Sequence, residues 1–245
     1  MKIKAGDVFE VNEGGSVTVV EYLGCYEVKI EHNDSHKHQA IVKNSHLRAG
    51  SVKNPFHPSV HSIGYLGSGE HKVWVGRKVT PTYKAWSDML KRCYSEKYLA
   101  ISPTYIGCSV CEEWLDFQSF AEWYLNQTNS GNPGFQIDKD LRRGGNKVYG
   151  PDSCSFVPQA INTLLGDGAS ARGALPQGVR ANRKKFEARL KVNGKALSLG
   201  TYATPSLAYE IYRKAKVINV KSMAAEWKDY LHPEVYKYLN TWDFP

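Results

Sequence analysis

Apolar and polar positions alternate with period two in the first fifty residues. Val17 and Val19 lie in a β-rich run that includes Tyr22, and Tyr26, Val28 and Ile30 alternate with Glu27, Lys29 and Glu31. That is the pattern of half-buried strands. Gly6-Asp7 and Gly14-Gly15 supply the turns. Several short strands within residues 1–52 predict a small β-barrel. Residues 53–80 are rich in Gly and Pro (Asn54-Pro55-Phe56-His57-Pro58, then Gly64 to Gly69) and predict a connection packed along the next domain.

The period changes at Thr80-Pro81, an N-cap followed by proline at the first helical position. Tyr83, Trp86, Met89, Leu90 and Cys93 recur at helical spacing, and Trp114, Phe117, Phe120, Ala121 and Tyr124 mark a second helix. After a break at Asn129–Gly134 comes a short strand, Phe135–Asp138, then a loop at Gly144-Gly145-Asn146. A second strand at Ser155–Val157 and a short helix from Pro158 to Leu165 complete the order strand, loop, strand, helix. Residues 166–175, nearly all small, read as a linker. Beyond it, Gly178-Val179-Arg180, Phe186–Val192 and Ala196–Leu199 predict three strands, with Asn193-Gly194 as a hairpin turn. Thr204-Pro205 opens a helix whose Leu207, Ala208, Ile211, Tyr212 and Ala215 are expected to cover the sheet. The expected architecture is α+β, with domains at 1–52, 81–165 and 176–245 joined by 53–80 and 166–175.

Charge changes the picture in one place. Residues 176–221 hold 11 of the 32 Lys and Arg but 2 of the 24 Asp and Glu, so this stretch carries the whole net charge of +8. A localised field of one sign suggests a polyanion as partner. No apolar run approaches the ~20 residues of a membrane span. The start, Met1-Lys2-Ile3-Lys4-Ala5-Gly6-Asp7, lacks the apolar stretch of a signal peptide, so a cytoplasmic location, with no membrane, is expected. The odd cysteine count, five, argues against a disulfide framework. Five histidines between His32 and His57 read as a solvated loop rather than a metal cluster.

On the predicted C-terminal sheet, Arg180, Arg189, Lys191 and Ser198 line the side away from the helix, with Arg183 and Lys185 in the first hairpin. Such a face suits the major groove of double-stranded DNA, where arginine reads guanine and lysine neutralises phosphate. Gly178-Val179-Arg180, Lys185–Leu190, Leu199-Gly200-Thr201-Tyr202 and the alanine-bearing helix resemble the ethylene-response-factor type of DNA-binding domain. That domain also occurs in phage and mobile-element endonucleases. Ser198 departs from the pattern, which usually has tryptophan there, so a base preference does not carry over.

Tyr83-Lys84-Ala85-Trp86, Arg92-Cys93-Tyr94, Val110–Trp114, Ile137–Asp140, Gly145–Tyr149, Cys154–Pro158 and Asn162 resemble phage HNH (His-Me finger) endonucleases. The resemblance implies a degenerate ββα-metal finger acting as a nuclease that nicks or cuts DNA with magnesium or manganese. Asp138 and Asn162 would hold the divalent ion, Asn146 would orient the base, and Lys139 stands at the base position. No histidine occurs between Lys72 and Leu231. Three readings stay open: a perturbed Lys139, a histidine supplied from the first 71 residues, or an inactive finger in a DNA-binding regulator or architectural protein. Cys93, Cys108, Cys111 and Cys154 are candidate zinc ligands, Cys108 and Cys111 having knuckle spacing, with buried thiols as the alternative. For the N-terminal barrel, docking to a host protein and a nucleic-acid contact are both open.

Overall fold

A computed structural model of the chain describes residues 2–166, 174–192 and 194–244. The expected linker at 166–175 thus lies mostly outside the described residues, as does Asn193 of the expected hairpin turn. The fold mixes helices with several small sheets and divides into two units. One unit comprises residues 1–106 and 112–122, the other residues 107–111 and 123–245.

The first unit begins with strands β1 (Val8–Glu10), β2 (Ser16–Gly24), β3 (Glu27–His32) and β4 (Gln39–Lys43), then helix α1 (Asn44–Arg48). The strands pair in sequence order into an antiparallel meander. The expected barrel is therefore corrected: the sheet is open, with β1 and β4 as its edges. Closing a barrel requires the last strand to pair with the first, and four strands with a three-residue edge are too few for that. Val17, Val19, Val28 and Ile30 form one buried face with Ile3, Val11, Leu47 and Val52. Tyr26 leaves the expected alternation. Cys25 and Tyr26, at φ 45° and 67°, form the two-residue turn between Gly24 and Glu27, which leaves the Tyr26 ring exposed.

The histidine-rich stretch is solvated at His36 and His46, which are exposed, and closed at His32, which is buried. The His36 ring stacks on Phe56 with centroids 4.2 Å apart, and His32 is buried beside His38. Asp34 accepts from the His36 and Lys37 N–H groups and so holds the turn.

A two-stranded hairpin follows, β5 (Trp74–Val75) with β6 (Lys78–Val79). Next come α2 (Pro81–Tyr94), α3 (Glu96–Ile101) and a 3-10 turn at Pro103–Tyr105. Thr80 caps α2 by accepting from Tyr83 N–H, as its sequence predicts. Trp86, Met89 and Leu90 are buried with Trp114, Phe117, Phe120 and Ala121, and Trp86 Nε1 donates to the Trp114 carbonyl at 2.7 Å. The 53–80 connection lies against these residues: Tyr65 N donates to Leu115 O, and Phe117 N donates to Tyr65 O.

The second unit holds β7 (Ser109–Val110), the end of α4 (Phe117–Leu125), β8 (Phe135–Asp138), β9 (Val148–Tyr149), β10 (Ser155–Pro158) and α5 (Gln159–Asn162). Strands β8 and β10 pair antiparallel, and β7 runs parallel to β9. The C-terminal sheet consists of β11 (Val179–Asn182), β12 (Lys185–Val192) and β13 (Lys195–Tyr202), all antiparallel, and it is followed by α6 (Pro205–Glu226) and α7 (Pro233–Thr241).

Helix α6 serves two cores. Its first half places Ala208 and Tyr212 on Ala188 and Leu190 of the sheet. Its second half places Val220, Met223 and Ala224 with Val157, Ile161 and Leu141 of the β8–α5 segment, where Leu231, Val235 and Leu239 join them. Leu207, expected to cover the sheet, is exposed instead. Among the described residues no helix is long and apolar enough to cross a membrane.

Candidate nucleic-acid interface

On the C-terminal sheet the register sets Arg180 opposite Glu187, Glu187 opposite Thr201, Arg189 opposite Ser198 and Lys191 opposite Ala196. The face is therefore not a row of like charges, as the strand pattern suggested. Glu187, 7% exposed, sits at its centre. Arg180 Nε donates to one of its carboxylate oxygens at 2.6 Å, and Ser198 Oγ donates to the other at 2.6 Å. Arg189 Nε stands 4.0 Å from the second oxygen. The Ser198 hydroxyl and the Arg180 guanidinium hold the Glu187 carboxyl below the usual carboxylate range.

Glu187 thus offsets the repulsion between the two arginines and orients Arg180. The Arg180 side chain remains 56% exposed, so its fork still has donors facing outward. A register shift at Ala188/Arg189 re-aims the strand beneath Arg189. Lys185 and Lys191 are exposed, and Arg183 occupies the β11–β12 turn at φ 55°. The one site residue that the sequence reading missed is Glu187. Its signal was an acidic residue among basic ones on the outward-facing phase of β12.

This face depends on how tightly Gly178 packs at the sheet margin. At φ 72°, a Cβ on Gly178 would lie 2.1 Å from Tyr212 Cδ2, within the ring that seals the sheet on α6. Both the backbone conformation and the contact therefore exclude a side chain. Gly178→Ala is expected to destabilise this unit by about 2–4 kcal/mol, the sum of strain and overpacking. Urea unfolding followed by circular dichroism checks this, and an unchanged midpoint would refute it.

In the β8–α5 segment the structure links two of the four residues expected there, Lys139 and Asn146. Asn146 Nδ2 donates to the Lys139 carbonyl at 2.9 Å and to the Val148 carbonyl at 2.6 Å. It ties the loop to the residue at the base position. The Lys139 ammonium, buried, donates to Asp140 Oδ1 and to the Asn146 carbonyl, and it lies 5.6 Å from the Tyr149 ring centre. All of these contacts use it as a cation and donor.

Asp138 Oδ1 accepts from the N–H groups of Asp140 and Leu141, at 2.9 and 2.7 Å. Burial pushes the Asp138 carboxyl up, and those N–H groups partly offset the shift. Asn162 Nδ2 donates to Gln136 Oε1 at 2.8 Å, two residues from Asp138 along β8. Gln136 and Asp138 share one face of that strand, and Gln136 occupies the Asn162 amide there.

The backbone between Cys108 and Cys111 is extended, and Cys111 lies close enough to Cys154 to act on its thiol. Ser109 and Val110, between Cys108 and Cys111, form β7, with Ser109 N donating to Lys147 O and Cys111 N to Tyr149 O. An extended strand spreads residues three apart by about 10 Å, whereas a knuckle needs a turn. Cys154 is buried, and burial pushes its thiol up to about 12. Cys93 is buried on α2 of the other unit. Among the described residues no group of three or more His, Cys, Asp or Glu side chains is placed to hold a metal ion. Compared with known proteins, the chain matches no family model, no curated protein and no solved structure.

Proposed function

We propose that this protein binds double-stranded DNA through the outward face of β11–β13. The observation that carries this reading is the cluster in which one buried carboxylate, Glu187, orients Arg180 and Ser198 beside Arg189. An arginine fixed in this way, as Arg180 is, reaches base edges at lower entropic cost than a free surface side chain. Lys185, Lys191 and Arg183 around the cluster add phosphate contacts, in keeping with the charge concentrated at residues 176–221. The test is titration of a labelled duplex at several salt concentrations. Micromolar or tighter binding with a steep log-log salt dependence is expected. Binding that is weak and indifferent to salt would refute the reading.

A second reading is favoured by the β8–α5 segment. Its strand, loop, strand, helix order and the Asn146 link to the Lys139 carbonyl match what the resemblance to HNH endonucleases implies. In that reading Asp138 and Asn162 hold magnesium or manganese, which would polarise the scissile phosphate and lower the pKa of a bound water. The engaged Lys139 ammonium makes a DNA-binding protein with a non-catalytic finger the better account. A structural zinc and a host-protein contact of the N-terminal sheet have no further support from the geometry.

A further inference from the structure

The β5–β6 hairpin belongs to neither of these sites. His71 clamps its base: His71 N donates to Gln118 Oε1 at 2.9 Å, and Gln118 Nε2 donates to His71 O. Thr80 N donates to Val73 O, and Thr80 Oγ1 donates to Lys72 O, while the same hydroxyl caps α2. A rigid mount therefore carries two strands of two residues each. Gly76, at φ 60°, opens the two-residue turn Gly76-Arg77 between Val75 and Lys78.

What the hairpin displays is apolar. Trp74 is 57% exposed and Val75 65% exposed, and Val79 is exposed beside them. The pairing puts Trp74 and Val79 on one face and Val75 with Lys78 on the other. Lys72, Arg77 and Lys78 are its charged residues, and none of residues 71–80 is acidic. The nearest carboxylates in sequence or contact are Glu70, just before it, and Glu122, which His71 engages. A hairpin of this length cannot bury its own tryptophan, and an exposed aromatic on a hairpin whose charged residues are all cations matches the chemistry of a nucleic-acid strand.

We propose that this hairpin is a second nucleic-acid contact, in which Trp74 stacks on an unpaired base while Lys72, Arg77 and Lys78 hold the flanking phosphates. The proposal rests on the DNA-binding reading and narrows it to DNA that carries a single-stranded or unstacked position next to duplex. An intact duplex keeps its bases stacked on one another and offers the indole no face. A gap, nick or bulge offers one, and the cations supply the salt-dependent part of the contact.

The test uses the full chain and two probes, a short duplex and the same duplex with a short single-stranded gap, each followed by fluorescence anisotropy. Wild type is expected to prefer the gapped probe. Trp74→Ala should weaken gapped binding about tenfold or more, the size of one base–aromatic stack, and change duplex binding about twofold at most. Trp74→Phe should restore most of the loss, which a merely misfolded hairpin would not allow. Arg77→Gln with Lys78→Gln should lower the salt slope by about 1.8.

Equal binding of both probes by wild type and Trp74→Ala would overturn the proposal. So would sedimentation showing that Trp74→Ala turns a dimer into a monomer, because the indole would then face a second copy. Arg189→Gln with Lys191→Gln separates this proposal from the sheet assignment. If that variant keeps wild-type duplex affinity while Trp74→Ala loses gapped affinity, the sheet assignment falls and the hairpin stands.

Discussion

Replacing Arg189 and Lys191 together by glutamine is expected to weaken duplex DNA binding about 60-fold at 0.1 M salt. The figure follows from counterion release: each phosphate contact contributes a log-log slope of about 0.9, which at 0.1 M is about 8-fold per contact. The slope itself should fall by about 1.8. Glutamine is the better substitution here because Arg189 lies beside Glu187. Glutamate at position 189 would set two carboxylates together and confound loss of binding with loss of fold. Thermal melts of both proteins, expected to coincide, establish that the sheet is intact. Anisotropy titrations at several salt concentrations measure the rest. Unchanged affinity and slope in the folded variant would remove the sheet from the DNA contact.

The β8–α5 segment is expected to separate stability from catalysis when Asp138 is changed. Asn at 138 keeps an oxygen for the N–H groups of Asp140 and Leu141 and removes a carboxyl that burial disfavours in its charged form. Asp138→Asn should therefore melt at or slightly above the wild-type temperature. Asp138→Ala leaves two N–H groups without that acceptor and should cost about 1–3 kcal/mol.

The pH dependence follows from the same shift. A carboxyl whose folded pKa is raised keeps its proton longer in the folded state, so its contribution to stability falls as pH rises from the unfolded value to the folded one. Asp138→Asn should remove that decline. Supercoiled plasmid with magnesium or manganese reports on catalysis. Under the non-catalytic reading, wild type and Asp138→Asn leave the plasmid equally intact. Nicking by wild type that disappears in Asp138→Asn would establish the metal-dependent reading instead. Lys139→His then tests the base position, where an imidazole should raise the rate by about 100-fold. Absence of nicking by wild type and by Lys139→His would retire the nuclease reading.

Much of the local structure was legible in residue order because it depends on neighbours a few positions apart. Thr80-Pro81 and the spacing from Tyr83 to Cys93 marked α2, and Phe135–Asp138 marked β8 with its observed bounds. Glycine-bounded alternation announced the three C-terminal strands, although β13 runs further than expected, to Tyr202. The Asn146 amide donates to the Lys139 carbonyl, a contact set by tertiary structure, while the orienting role that the resemblance implies for it belongs to the proposed function. The β5–β6 hairpin was overlooked, although Val73-Trp74-Val75 followed by Gly76 carried its signal inside a stretch read as connection.

Alternation along one strand sorts side chains into two faces, and here its reach ended. It does not say which residue stands across the sheet, so Glu187 was missed as the group that orients Arg180 and Ser198. Period-two runs at the N-terminus predicted strands but not whether β1 meets β4, because closure depends on pairing between segments distant in the chain. Cys108 and Cys111 had the spacing of a knuckle, and only the pairing of β7 with β9 drew that spacing out straight. Helical periodicity showed one apolar stripe on α6, whereas packing divided it between the sheet and the β8–α5 core. Propensity and pattern act over a few residues and therefore appear in the sequence. Register, edge closure and the partner of a buried charge are set by contacts across dozens of residues, and the tertiary structure decided them.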